Sequence, residues 1–368
     1  GVRGANQASS YIFKDGVYIG AYDSAAEPGA SNPSVKTDQS YGLSNSILYF
    51  NSNSVAGESA QRCLVENIEF IGDETEVQGN SSSHMGTKAV AALGANIAVR
   101  NCTYDSVMYF ADAGENAVGM LVENNSTKYT WEEELSEHNG YSSYGYGFYA
   151  GGSSPTSRGE TMSAFGNYFG RPYLEHNIRT NSHWTNLHDN EVINFPGSAA
   201  GSKNINSLRA NSGDWIYWSD NVVRGGTLVI CALADDIDTD GPGGDIATTM
   251  PPPSNVVVDS NWVYALPLAQ NGGPHEKVSI KQGASHVLLR NNIIEQSTKH
   301  AIFMGTGARD VRFYYNTVIN ENLGVIVNGF NHNGTKGNFL WISDDVAPDE
   351  FHPTTWDPED YLVREVRM

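Results

Sequence analysis

The 368 residues carry 22 Lys+Arg against 42 Asp+Glu, a formal net charge of -20 that repels nucleic acid and anionic membranes. Only 17% of the residues are charged and 38 are Gly, a turn-rich composition that speaks against a helical protein. No apolar run reaches the roughly 18 residues of a membrane span, and three widely spaced cysteines rule out a zinc knuckle or a full disulfide framework.

Buried thiols are the expectation for Cys63, Cys102 and Cys231, with a Cys63–Cys102 bridge as the alternative. The chain starts at Gly1 without Met or a signal peptide, which reads as a processed or trimmed secreted protein.

In chain order, residues 1–60 hold strand-like pieces at 11–13, 17–22 and 46–50, divided by a Pro/Gly/Ser/Asn-rich stretch at 25–44. From Arg62 a repeat becomes regular. It runs LVENIEF around Asn67, IAVRNCTY around Asn101, MLVENNS around Asn124, MSAFGNYF around Asn167 and NLHDNEV around Asn190. It continues as IYWSDNVV around Asn221, VVVDSNWV around Asn261, VLLRNNII around Asn292 and VRFYYNTV around Asn316. The short interval, Asn101 to Asn124, approximates one bare coil, and the long one, Asn124 to Asn167, a coil with a loop inserted. Short strands of period 2 cannot bury their inner face alone, so the coils must stack, and an Asn recurring at one turn can bond to the Asn above and below it.

The clearest copy is HNIRTNSHWTNLHDNEVIN at 176–194 against NSLRANSGDWIYWSDNVVRGG at 206–226. It aligns Trp184 with Trp215, Leu187 with Trp218, Val192 with Val223, and Arg179-Thr-Asn181-Ser182 with Arg209-Ala-Asn211-Ser212. The expected fold is all-β, a right-handed parallel β-helix forming one domain over 1–368, with regular coils at about 60–335 and a C-terminal capping segment at 336–368. Residues 354–366, opening on Thr-x-x-Asp, read as a short capping helix. Long insertions at 128–160, 234–254 and 265–276 are expected beside a binding face.

On these coils the chain resembles the right-handed parallel β-helix, or pectate-lyase-like, superfamily over roughly residues 60–335. GNYFGRPYLEHNIRTNSH at 166–183 is similar to coils of the alginate-lyase and chondroitinase-type β-helix lyases. The resemblance implies the architecture and an extracellular polysaccharide as partner, and it transfers no catalytic residue.

Placing the coils by their Asn stacks Arg179, Arg209, Cys231, Lys281 and Met304 on one outward stripe, with Ile178, Leu208, Ile230, Ile280 and Phe303 turned inward. Cations so close repel unless an anion lies between them, so the stripe reads either as a groove for uronate carboxylates or as cations paired with loop acids. In the first reading Arg179 and Arg209 bind the sugar carboxylate. Lys281 or His183, the latter oriented by Asp214, then takes the C5 proton in a β-elimination. Tyr141, Tyr144, Tyr146 and Tyr149 offer sugar-stacking rings or a phenolic acid, or form only a packed flap. Trp184, Trp215 and His188 complete the substrate-binding candidates.

Asp236, Asp238 and Asp240, followed by Gly241, alternate as a calcium loop does, or form a solvated acidic loop. The Glu of a full EF-hand loop is missing at Ala247. Sequons stand at Asn80, Asn101, Asn124, Asn125 and Asn333, with Asn101 expected to be buried as a ladder residue. The leading expectation is a secreted lyase of a uronate-containing polysaccharide. The rivals are a C5-epimerase or a glycoside hydrolase on the same scaffold, or a non-catalytic adhesin or tailspike-like module.

Overall fold

The structure is a computed structural model that describes residues 10–12, 16–20, 34–36, 46–50, 61–72, 88–114, 117–130, 145–151, 159–172, 176–194, 206–232, 251–264, 277–296, 301–305, 307–320, 325–327, 340–343 and 364–367. Its strands form three parallel sheets, A, B and C, of 12, 11 and 10 strands among the described residues. Each coil contributes one strand to each sheet, in the order A, B, C, and the next coil pairs with it in parallel. The fold is a right-handed parallel β-helix. No helix among the described residues is long and apolar enough to cross a membrane.

Period 2 sets the core. In sheet A the inward column Val90, Ala111, Phe148, Ile178, Leu208, Leu228, Val278 and Ile302 is in register from coil to coil and fully buried. In sheet B, Leu187 pairs with Trp218, and in sheet C Val192 pairs with Val223; all four are buried. Burial of these stacked columns supplies the driving force that no single coil has.

The turn from sheet B to sheet C is built from two successive residues. The first takes a left-handed conformation in nine successive coils, at Asn67, Asn101, Asn124, Gly166, Asp189, Asp220, Ser260, Asn291 and Tyr315. The second carries the ladder, which joins Asn125, Asn167, Asn190, Asn221, Asn261, Asn292 and Asn316. Each Nδ2 donates to the next Oδ1 at 2.8 to 3.1 Å. Each of these oxygens also accepts the preceding Asn's main-chain N–H, so the buried amides satisfy one another. The ladder expected from Asn67 therefore starts at Asn125, and Ile68 and Cys102 hold its place in the earlier coils. Asn101 is exposed rather than buried, because it is the left-handed residue.

Cys63, Cys102 and Cys231 are buried thiols. A Cys63–Cys102 bridge does not form, since Cys63 pairs with Ile97 inside sheet B while Cys102 follows that sheet at the turn. Strands also join the sheets at both ends: Ser10–Ile12 pairs with Ser46–Phe50, and Arg364–Arg367 with Arg309–Tyr314. Residues 364–366 are thus strand, not the end of a capping helix; the rest of that expected helix lies outside the described residues.

Candidate functional site

The outward face of sheet A carries the densest group of polar and aromatic side chains among the described residues. Its central column is Tyr49, Ala91, Asp112, Tyr149, Arg179, Arg209, Val229, Ser279 and Phe303. Arg179 and Arg209 are therefore adjacent, as expected. Cys231 and Lys281 are not in this column: Arg209 is opposite Val229, and Val229 opposite Ser279. Met304 faces inward, buried in the core, and Phe303 takes the outward place. An extra residue between Asn206 and Leu208 bulges the strand here, and the long segment after Cys231 breaks the count along the chain.

Lys281 follows Cys231 in a flanking column. The Cys231 N–H bonds to the Ala210 carbonyl and the Lys281 N–H to that of Ile230, which places Asn211, Cys231 and Lys281 on successive coils. Lys281 thus stands two coils beyond Arg209, on the order of 10 Å at about 4.8 Å per coil.

Each arginine is held differently. Arg179 Nη1 donates to Tyr146 Oη at 2.9 Å, and its guanidinium lies 5.7 Å from the Tyr149 ring centroid. Arg209 Nε donates to Asn211 Oδ1, and its Nη1 faces His176 Nε2 at 3.4 Å. Burial, then Arg209 and Arg179, hold the His176 imidazolium well below the usual histidine range. His176 is thus neutral, and Nε2 facing a permanent donor places the ring proton on Nδ1.

The rings stack around this pair. Tyr109, Tyr146 and Tyr149 lie 4.9 to 6.1 Å apart by centroid, and Tyr146 meets His176 edge-on at 5.7 Å. Asn181 Nδ2 donates to Tyr149 Oη at 3.1 Å. Lys88 pairs with Asp112 below the tyrosines. Asn211 Nδ2 is buried and has no hydrogen-bond partner among the described residues.

The other expected residues lie elsewhere. His183 and Asp214 open neighbouring strands of sheet B, in register through Thr185 and Ile216. Asp214 Oδ1, however, accepts from Ser254 Oγ at 2.8 Å and Asn255 Nδ2 at 2.7 Å, which ties it to the coil above. His188 is at the far end of sheet B, stacked on Phe165 at 4.8 Å and bonded to Asp189. Trp184 and Trp215 are exposed on sheet B. Tyr141, Tyr144, Asp236, Asp238 and Asp240 lie outside the described residues, and no group of three metal-ligating side chains occurs among those described.

His176, Tyr109, Asp112 and Lys88 are members of the cluster that the sequence reading omitted. A signal for most of them exists: successive coils repeat a polar or aromatic pair three residues apart, as Tyr109/Asp112, Tyr146/Tyr149, His176/Arg179 and Asn206/Arg209.

Solved structures share the architecture at low identity. A double mutant of the tailspike protein of E. coli bacteriophage HK620, in complex with pentasaccharide, is 10% identical with a TM-score of 0.50, over 92% of this chain and 57% of its own. PfbA, a surface adhesin of Streptococcus pneumoniae, is 10% identical with a TM-score of 0.44, over 95% of this chain and 86% of its own. The A-module of the mannuronan C-5 epimerase AlgE6 of Azotobacter vinelandii is 10% identical with a TM-score of 0.37, over 92% and 79%. The chain thus spans less than three fifths of that tailspike chain, and the likeness is one of fold. No family model matches the chain, and no curated protein matches it.

Proposed function

We infer that this β-helix is secreted and acts on an extracellular polysaccharide, as a lyase that cleaves a uronate-containing chain by β-elimination. The observation that carries the reading is the adjacent pair Arg179 and Arg209 set against a neutral His176 and the Tyr146 hydroxyl. A guanidinium pairs with a uronate carboxylate in a planar, two-point geometry, and the buried Asn211 Nδ2 supplies one further donor. Neutralising the carboxylate acidifies the C5 proton. His176 Nε2, exchanging its contact with Arg209 for the sugar, accepts that proton, the C4–O bond breaks as the C4=C5 double bond forms, and the Tyr146 hydroxyl gives its proton to the leaving oxygen. Lys281 then belongs to the rim, where it holds a neighbouring sugar, and His183, on sheet B, stands outside this step. Calcium at Asp236, Asp238 and Asp240 is part of the same proposal.

A hydrolase on this face lacks support. It needs two carboxylates across the scissile bond, and Asp112, paired with Lys88, is the one acid among the described outward positions of sheet A. Glycan binding without turnover is the second reading, favoured by the depth of the groups that would move the proton: His176 is 1% exposed and Tyr146 3%. The tailspike holding a pentasaccharide supports a glycan as partner in either case.

The test is incubation with alginate, pectate, glucuronan, ulvan and glycosaminoglycans, with calcium and with chelator, following the ultraviolet absorbance of the unsaturated uronate. A rise lost in Arg209→Gln is the expected result. Binding without that rise establishes the module, and deuterium uptake at C5 without chain cleavage the epimerase.

A further inference from the structure

In nine successive coils, from Gln61–Glu66 to Arg309–Tyr314, the second residue of the sheet B strand adopts a left-handed backbone conformation. Arg62, Asn96, Gly119, Thr161, Asn255, His286 and Asp310 hold this place in other coils, so the turn admits larger side chains as well as Gly and Asn. Gly and Asn are the residues such a position favours, and bulky side chains there are outliers. Two consecutive coils nevertheless place tryptophan at it, Trp184 at φ 50° and Trp215 at φ 61°. Their neighbours Asn186 and Tyr217 pair directly, so the two tryptophans hold one register position on adjacent coils, their main chains about 4.8 Å apart.

Neither burial nor folding accounts for this choice. Trp184 is 54% exposed and Trp215 59%, so each bears backbone strain and leaves its apolar ring in water. Strain kept in an exposed aromatic pair marks a function. Tyr217, two residues on and 37% exposed, adds a third ring, and its hydroxyl reaches Asp259 Oδ2 at 3.4 Å.

The surroundings identify the occupant. Glu160, His183 and Asp214 precede the column on three successive coils, and Ser163, Asn186 and Tyr217 follow it. No lysine or arginine stands among these six, and Arg290, the cation beside Tyr217, is paired with Asp259 at 2.7 Å. Carboxylates and amides accept and donate to sugar hydroxyls, whereas a uronate would meet like charge. The apolar face of a hexopyranose stacks on an aromatic plane, and the exposed indoles of adjacent coils offer two such planes.

We propose that Trp184 and Trp215 form a docking platform for a neutral polysaccharide, separate from the arginine cluster on sheet A. The platform holds the protein on its polymer whether or not the cluster is catalytic.

The test titrates the protein with cellohexaose, maltohexaose, laminarihexaose, mannohexaose and, as anionic comparison, hexagalacturonate, reading tryptophan emission, with sedimentation velocity in parallel. At least one neutral hexasaccharide gives a saturable change. The doubly substituted Trp184→Asn/Trp215→Asn protein binds it about tenfold more weakly or worse while its denaturation midpoint is unchanged or higher, because Asn suits the backbone. Trp184→Phe/Trp215→Phe keeps most of the affinity, and Arg209→Gln keeps all of it. The proposal is overturned by an absence of saturable change with every neutral sugar, by equal affinity of the Asn variant, or by self-association that the Asn variant abolishes. The last outcome would make a second copy of the chain the occupant.

Discussion

Arg179 and Arg209 stand at one register position on neighbouring coils, yet one is turned to a phenol and the other to an imidazole. Two cations at about 4 Å repel by about 1 kcal/mol in bulk water and about 4 kcal/mol at the effective dielectric of a protein surface. An anion bound between them relieves that repulsion. Arg209→Gln should therefore separate stability from binding. Affinity for a uronate oligosaccharide, measured by calorimetry, falls about tenfold or more, and any lyase kcat/KM falls about 100-fold to 1,000-fold. The melting midpoint of the free protein stays level or rises, since one of two like charges has gone. A large loss of stability with intact affinity would assign the pair to the scaffold.

His176 makes stability depend on pH in a definite direction. Its folded pKa lies well below 6.5, chiefly through burial and then through Arg209 and Arg179. The unfolded chain therefore binds more protons below pH 6.5, and stability present above that pH is lost as the pH falls toward the folded value. His176→Gln should flatten the denaturation midpoint between pH 6.5 and 5 relative to the parent. A catalytic role adds a second readout: the parent's kcat/KM shows no inflection near pH 6.5, because the free enzyme's His176 does not titrate there.

The Asn ladder predicts a graded loss. Asn221 Oδ1 accepts from both the N–H and the Nδ2 of Asn190, while its own Nδ2 donates to Leu187 O and Asn261 Oδ1. Asn221→Ala strands several buried polar groups at once and should cost about 2–4 kcal/mol in urea denaturation. Asn316→Ala, at the half-exposed end, should cost about half as much, since water replaces part of what is lost.

The coil period and the inward columns were legible because one coil's strands cannot be buried by themselves, so hydrophobic alternation is imposed at every turn. The ladder was displaced where two polar residues adjoin. At Asn124-Asn125 either residue satisfies the pattern, and the ladder falls on Asn125 because Asn124 is left-handed; at Asn291-Asn292 it falls on Asn292, as expected. In the first coils Asn67 and Asn101 carry the left-handed turn with no ladder amide behind them. The cationic stripe was misaligned for a different reason. The ladder indexes the turn between sheets B and C, whereas Arg209, Val229 and Ser279 are aligned by sheet A pairing across a bulge and a long intervening segment. Adjacency of Arg179 and Arg209 survived because their coils match residue for residue.

Cys102 offers a check on burial that is independent of pairing. Its thiol is pushed up to about 11, first by desolvation, and the side chain is buried at the sheet B to C turn. The thiolate fraction at neutral pH is therefore negligible. In the native protein Cys102 should stay unmodified by an aromatic disulfide reagent on the timescale that labels it fully in denaturant. Mass mapping of the labelled peptides reads the outcome, and rapid native labelling would contradict the buried turn.

Lys277 supplies the opposite pH window. It is buried just before the Val278–Ile280 strand of sheet A, where its ammonium donates to the carbonyls of Gly225 at 2.8 Å and Gly226 at 3.3 Å, and desolvation lowers its pKa from 10.5 to about 8. Below pH 8 both folded and unfolded chains hold the proton, and the folded state bears the cost of a buried charge. Between pH 8 and 10.5 the unfolded chain binds more protons, so stability rises with pH, and above 10.5 the gain is complete. Lys277→Met keeps the stem and removes the titration. Because other groups cancel in the comparison, the difference in unfolding free energy, parent minus variant, should increase from pH 7 to pH 10.5. One pKa unit corresponds to about 1.4 kcal/mol, so the increase is on the order of a few kcal/mol at most. Paired urea titrations at the two pH values measure it. A difference that does not change with pH would place the Lys277 ammonium in contact with water and remove the basis for its shift.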